Sequence, residues 1–252
     1  MTELAPQPGS QLPAAAPPQL PSLGSGEMFD RIAARYDFVN RVLSLGLDQR
    51  WRRRVVRSLN LGERPRVLDV ATGTGDLAIE IARARPGATV IGLDPSTGML
   101  GVARQKLEKR GLAERVQLVV GDAQALPQQN CEVDAATIAF GIRNVPDRGK
   151  ALRELARVVR PGGRVAVLEL GEPRRGLLAA AARLHCHHVV PRIGGWLSGS
   201  REYRYLQQSV AAFPPAEKFA ELMRESGLHV IEVAPLTFGV CTLYLATPAE
   251  DR

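Results

Sequence analysis

"VLDVATGTGDLA", residues 67–78, reads as an apolar strand that runs into a glycine loop and out into a helix. Gly73, Gly75 and Ala78 spell G-x-G-x-x-A, a spacing that brings backbone N–H groups close to a ligand at the start of a helix. Inside the strand, four residues before the first glycine, stands an acid, Asp69. That acid bears on what the loop holds. A dinucleotide would set its pyrophosphate near a carboxylate, and the two negative groups would oppose each other.

A ligand with a cationic end suits the stretch better. S-adenosylmethionine (SAM) carries no phosphate, and its sulfonium and ammonium lie at one end of the molecule. A carboxylate at the strand end favours that end, directly or through water. The structural alternative is that Asp69 caps the loop by bonding its backbone N–H groups. The two roles are compatible.

Strands and helices alternate outward from this unit. "RVLDVA" (66–71), "ATVIGLD" (88–94), "RVQLVVGD" (115–122), "EVDAATIAFG" (132–141) and "GRVAVLEL" (163–170) read as strands. Helices fall at 75–85, 96–111 and 147–159, the last stopped by "PGG" at 161–163. "PPAEKFAELMRESG" (214–227) is a further helix, and "LHVIEVAPLTFGVCTLYLA" (228–246) closes as two strands around a short turn. The pattern predicts an α/β, doubly wound, mostly parallel seven-stranded sheet with helices on both faces. Before it, residues 28–60 form a helical lid, with Asp48 as an N-cap for "DQRWRRRVVRSL". A largely helical insertion spans 174–210.

Composition narrows the setting. Residues 1–26 are rich in Pro, Ala, Gln, Ser and Gly and read as a disordered tail, which leaves 27–248 as a single domain. The tail lacks a basic start and an apolar core, so it is not a secretory signal. No apolar run approaches the roughly 18 residues that span a bilayer. Cys131, Cys186 and Cys241 lie far apart, which argues against zinc and disulfides and fits a reducing compartment. The net charge of +7 includes five arginines within 49–57, a solvated helix face or a surface for a polyanion or an anionic membrane.

In an open α/β sheet, ligands gather outside the carboxyl ends of the strands. The first strand end offers Gly73, Thr74 and Gly75. The second offers Asp94, able to accept from both ribose hydroxyls or to cap the next helix. At the third, Asp122 can accept from an adenine amine and the Ala123 N–H can donate to the ring. The fourth leads into "FGIRN". Acids ending three successive strands around one glycine loop form a specific constellation.

These residues resemble the class I SAM-dependent methyltransferases. Within them the chain resembles the family that methylates a ring carbon of respiratory quinol precursors, the demethylmenaquinone and ubiquinone C-methyltransferases. The stretches that carry the likeness are "MFDRIAARYDFVNRVLSLGLDQRWRR", "VLDVATGTGD", "GLDPSTGML", "GDAQALP", "FGIRNVPDRGKALRELARVVRPGGRVAVLEL" and "YRYLQQSVAAFPPAEKFAELMRESGL". They cover nearly all of Met28 to Phe238. The resemblance implies SAM as methyl donor, with contacts from Thr74, Asp94, Asp122 and Ala123. It also implies a polyprenyl quinol substrate and a cytoplasmic enzyme peripheral on the inner face of a membrane; oligomeric state, a homo-oligomer included, stays open. Asp48, Ala139 and Tyr244 depart from the family's pattern, so no role is carried over for them.

Methylating an aromatic carbon needs electron density there, which a quinol supplies once a hydroxyl loses its proton. The unperturbed phenolic pKa is about 10, so the protein must take that proton or stabilise the oxyanion. Arg143 is too weak a base to take it directly but suits the oxyanion or a bound water. Asn144 can hold the second ring oxygen. In the lid, Asp37 can accept the proton and Tyr36 can stack on the ring. Their structural alternatives are an ion pair for Arg143 and lid packing or capping for Asp37, Tyr36 and Asn40. His185, His187 and His188 suggest a metal cluster, but sulfonium methyl transfer needs no metal and no acid lies nearby in sequence. The apolar stretch 176–197 reads as a lining for the polyprenyl tail or as core.

Two other functions fit part of the pattern. The charge suggests an RNA methyltransferase, yet "AFGIRN" stands where base-amine enzymes carry Asn/Asp-Pro-Pro-aromatic, and no cysteine follows a proline. Nucleic acid is therefore not expected as a partner. A non-catalytic SAM-binding subunit is disfavoured by the intact "FGIRN".

Overall fold

Each predicted strand appears, and all seven join one sheet in the order β3-β2-β1-β4-β5-β7-β6. The fold comes from a computed structural model that describes residues 44–171 and 200–249, with Asp30, Ala33, Asp37, Asn40 and Arg41 before them. The 1–26 tail, Tyr36, the histidine cluster and most of the 174–210 insertion lie outside the described residues. The strands are β1 Arg66–Val70, β2 Thr89–Asp94, β3 Val116–Val120, β4 Val133–Ala139, β5 Val159–Leu170, β6 Leu228–Leu236 and β7 Cys241–Pro248. The first five run parallel, and β7 lies antiparallel between β5 and β6.

Helices cover both faces, so the strands read as near-continuous apolar runs. Alternation splits each strand between the two. Val67, Val90 and Ala135 pack on one side with α1 (Leu47–Ser58), α2 (Asp76–Ala84) and α3 (Thr97–Lys109), through Trp51, Leu77 and Leu107. Leu68, Val70 and Ile138 pack on the other side with α4 (Arg148–Val158) and α6 (Ala216–Glu225), through Leu155 and Phe219. Between insertion and α6, α5 spans Ser200–Ala211. Among the described residues no helix is long and apolar enough to cross a membrane.

Two local expectations need correction. Asp48 does not cap α1; Gly46, in the left-handed region at φ 73, occupies that position without a side-chain cap bond. Asp48 lies inside the first turn, buried, where Ser44 donates to it and Arg52, one turn on, forms an ion pair at 2.5 Å. The "PGG" run does not stop α4 either. The helix ends at Val158, and β5 begins at once, with Val159 opposite Val133 and Arg164 opposite Ala135. Pro161–Gly163 is therefore a bulge. A Cβ on Gly163 would fall 2.6 Å from the Asp134 carbonyl, so glycine is what lets the strand close up again.

The chain leaves β1 toward β2 on one side and later returns to β4 on the other. The crevice at that change of direction lies outside the carboxyl ends of β1 and β4, and the two loops there are pressed together. A Cβ on Gly141 would sit 2.5 Å from the Ala71 Cβ. Ala71 at φ 50 and Phe140 at φ 59, both left-handed, flank that contact.

Candidate active site

The glycine loop is held from below, from the side and from above. Below it, Asp69 is 1% exposed and accepts from Thr72 Oγ1 at 2.6 Å and Thr137 Oγ1 at 2.7 Å. Asp69 and Thr137 are partners in register on β1 and β4, so the acid ties the loop to the neighbouring strand. Both of these bonds come from threonine hydroxyls, and the backbone N–H of Ala78, in the helix that follows the loop, also acts on the carboxylate. Burial pushes the Asp69 carboxyl up to about 6, and the two hydroxyls and the nearby Arg52 charge pull only part of the way back.

At the side, Asp94 ends β2. One of its oxygens accepts from the Gly73 N–H at 2.8 Å, the other from the Ser96 N–H at 2.9 Å. The helix-cap alternative falls to Ser96, whose Oγ accepts from the Met99 N–H. Burial raises the Asp94 carboxyl, against the pull of those two N–H groups. Gly73 sits at φ 56 with open space where a Cβ would be, so the backbone there is uncovered on the ligand side. At the end of β3, the Gly121 N–H meets the Asp94 carbonyl at 3.2 Å. Asp122, exposed, accepts from the Gln124 N–H in a tight turn beside the buried Ala123. Gly73, Thr74, Gly75, Asp94, Asp122 and Ala123 thus stand at three adjacent strand ends, as the sequence predicts.

From above, two acids of the lid segment reach down. Asp30 Oδ1 accepts from Ser96 Oγ at 2.5 Å and the Gly98 N–H at 2.7 Å. A Cβ on Gly98 would come within 2.8 Å of that oxygen, so the glycine makes the approach possible. Asp37 accepts from Thr74 Oγ1 at 2.5 Å and from Lys106 Nζ at 2.6 Å. Lys106 also pairs with Asp76. Burial opposes the Asp76 charge, but Lys106 and then Arg52 outweigh it and hold the carboxyl below its ordinary range. Asp37 therefore lies on the glycine loop with a lysine as partner.

"FGIRN" forms a single 3-10 turn, Ile142–Asn144, past the end of β4. Arg143 is buried. Its Nη1 donates to Glu169 at 2.8 Å and to the Phe140 carbonyl at 2.5 Å, and its backbone N–H reaches the same carboxylate at 3.2 Å. The ion-pair alternative for Arg143 is thus present in the structure. Asn144 Oδ1 accepts from Tyr205 Oη at 2.9 Å. Glu169, Lys106, Asp30 and Tyr205 are the partners that sequence reasoning missed. Glu169 was open to discovery, because an acid in the apolar run "VAVLEL" is the same signal that marks Asp69.

The arginine run of α1 is not one solvated face. The Arg52 side chain is 11% exposed, paired with Asp48, with its Cζ 5.3 Å from the Phe140 ring centroid. Arg54 pairs with Glu232 at 2.8 Å. Arg50, Arg53 and Arg57 are exposed.

Comparisons with known proteins give the family and the fold. The ubiE/COQ5 methyltransferase family matches residues 22–248. The chain is 48% identical over 225 residues to the ubiquinone/menaquinone biosynthesis C-methyltransferase UbiE of Syntrophotalea carbinolica, covering 89% of this chain and 94% of that one. It is also 48% identical over 220 residues to the demethylmenaquinone methyltransferase of Thermus thermophilus, covering 86% and 98%. Among solved structures, a SAM-dependent methyltransferase from Aquifex aeolicus shares the fold, with a TM-score of 0.57 at 20% identity over 77% of this chain and 88% of that one.

Proposed function

Because the chain belongs to the ubiE/COQ5 methyltransferase family, we propose that it methylates a ring carbon of a polyprenyl quinol precursor of menaquinone or ubiquinone, with SAM as donor. The observation that carries the reading is the abutment of two loops at the β1–β4 crevice. One is the acid-lined glycine loop, the other the buried "FGIRN" turn, and a Cβ on Gly141 would overlap Ala71 between them.

The residues present fit SAM. Gly73 is open on the ligand side. The Asp94 oxygens each hold one N–H group and keep a lone pair for a ribose hydroxyl. Thr74 and Gly75 line the loop, with Asp122 and Ala123 beside the adenine. Asp69 supplies negative charge beneath the cationic end. When bound, SAM offers an electrophilic methyl group on its sulfonium.

On the substrate side, Asn144 holds a ring oxygen. Arg143, its charge shared with Glu169, fixes the turn and stabilises the oxyanion that forms as the quinol is deprotonated. Asp37 serves this reading by pinning the lid to Thr74 and Lys106, and Tyr36, beside it in sequence, keeps the stacking role. Of the arginines on α1, Arg52 and Arg54 are held in ion pairs. The exposed Arg50, Arg53 and Arg57, with exposed Leu45 and Phe238, suit instead an anionic membrane that holds the substrate's tail. The Trp51–Thr237 bond of 2.9 Å brings the Phe238 turn against the same helix.

The test is incubation of the full chain with labelled SAM and either demethylmenaquinol or the methoxy-benzoquinol precursor, each against its oxidised quinone. Label is expected in the quinol alone; transfer to neither, or equally to the quinones, refutes the reading. Vesicle binding tests the surface. It should weaken with salt and when Arg50, Arg53 and Arg57 become Gln, whereas equal affinity for neutral vesicles would remove the membrane contact.

A further inference from the structure

The helix α5 meets the "FGIRN" turn side chain by side chain. Tyr205 and Ser209, four residues apart, share one face of the helix. Tyr205 Oη donates to Asn144 Oδ1 at 2.9 Å. Ser209 Oγ accepts from Arg143 Nε at 3.3 Å and donates to the Leu206 carbonyl at 2.9 Å. Neither residue belongs to the cofactor pocket, and the methyl-transfer chemistry above does not use them.

A side-chain amide has an acceptor end and a donor end of nearly equal shape, and unaided it turns either one outward. At this turn the neighbouring acceptors are taken by guanidinium groups. Arg148 Nη2 donates to the Arg143 carbonyl at 3.0 Å, and Arg143 Nη1 donates to Phe140 and Glu169. The Tyr205 proton therefore goes to the Asn144 oxygen. Burial raises the Tyr205 phenol, ahead of the opposing pull of Arg143 and Arg148, so it stays a donor at neutral pH.

We propose that Tyr205 is a positioning residue, which holds the Asn144 amide with its NH2 end toward the ring oxygen of the substrate. The inference rests on the methyl-transfer reading. An NH2 group donates equally to a phenolate or a carbonyl but gains most from the oxygen that carries charge. With the amide locked, the turn favours the deprotonated quinol, the form that is nucleophilic at carbon. With the amide released, its oxygen faces the phenolate for part of the time and opposes ionisation.

The experiment compares the wild-type chain, Tyr205→Phe, Asn144→Ala and the double variant in the quinol assay over a range of pH. Tyr205→Phe keeps the ring and removes only the donated proton. It is expected to lower kcat about ten-fold, the scale of one net hydrogen bond. The acid limb of its pH profile should move upward, while SAM affinity and thermal unfolding stay as in the wild type. In the Asn144→Ala background the same change should do nothing, because Tyr205 acts through that amide. Equal losses in both backgrounds, an unshifted pH profile, or a parallel fall in SAM affinity and unfolding temperature would overturn the proposal. A wild-type chain that methylates no quinol would take down the underlying reading and this inference with it. An active wild type with an unaffected Tyr205→Phe sinks the inference alone.

Discussion

Two buried acids stand at the same end of one sheet, on opposite faces, and their lone pairs are satisfied in different ways. Asp69 shares a strand face with Val67, on the side of α1 and α2, and rests on two threonine hydroxyls. Glu169 shares a face with Val167, on the side of α4 and α6, and meets the Arg143 guanidinium at 2.8 Å. Hydroxyls satisfy the lone pairs of a carboxylate but leave its charge in place; a guanidinium removes both demands. The first site therefore suits a ligand that brings its own cation. The second is already balanced and suits a neutral ring that develops charge only during reaction. The contrast matches the donor and the acceptor of the proposed methyl transfer, one on each side of the crevice.

The largest effect expected from this contrast is on stability. Glu169→Gln removes the carboxylate charge that faces the buried Arg143 guanidinium and should destabilise the fold by about 3–5 kcal/mol, measured by denaturant unfolding. A loss below about 1 kcal/mol, the range of an exposed pair, would mean that the Arg143–Glu169 contact is not the compensated centre described here.

Asp69→Asn should act in the opposite direction at neutral pH. Burial lifts this carboxyl from 3.8 to about 6, so between those values the folded chain keeps a proton that the unfolded chain has lost. Stability is then full below the lower value and falls as the pH rises through about 6, by about 3 kcal/mol at about 1.4 kcal/mol per unit. The Asn variant should lack that fall. SAM binding should be the mirror image. A cation beside Asp69 favours its ionised form, so calorimetric affinity should climb several-fold from pH 5 to pH 7 in the wild type and stay flat in the variant. A parallel climb in both would separate Asp69 from the donor.

The smallest effect is expected at Arg52, whose charge is shared with Asp48 but still lowers the Asp69 carboxyl. Arg52→Gln should move the pH midpoint of SAM binding upward by less than about one unit, since an opposite charge in direct contact shifts a carboxylate by about one to three. A downward movement would show that Arg52 acts on Asp69 by some route other than its charge.

The sheet was legible because the parallel strands β1, β2 and β4 are buried on both faces, which leaves apolar runs between helical periods. The candidate cofactor side was legible for a related reason: Gly73, Asp94 and Asp122 sit at the ends of those runs, where strand order alone brings them together. The candidate substrate side was not. Arg143 meets Glu169 across 26 residues and Asn144 meets Tyr205 across 61. Such contacts depend on how α5 and β5 fold back, which no local period records. The misplaced Asp48 cap has a similar origin, because an acid before a helix and an acid inside its first turn look alike until a partner such as Arg52 draws one of them inward. The "PGG" run failed for want of a distinction between a helix stop and a strand bulge, both of which use glycine at positive φ.

That bulge has a practical use. Gly162, exposed and left-handed at φ 76, projects from the start of β5, whereas Glu169 lies seven residues along the same strand. At about 3.3 Å per residue the two ends are roughly 23 Å apart. A short peptide tag or a fluorophore attachment point spliced in at Gly162 would hang from the floor of the sheet. Immobilised or labelled through that handle, the protein would keep its crevice facing outward, which suits surface-based binding measurements with vesicles and with SAM alike.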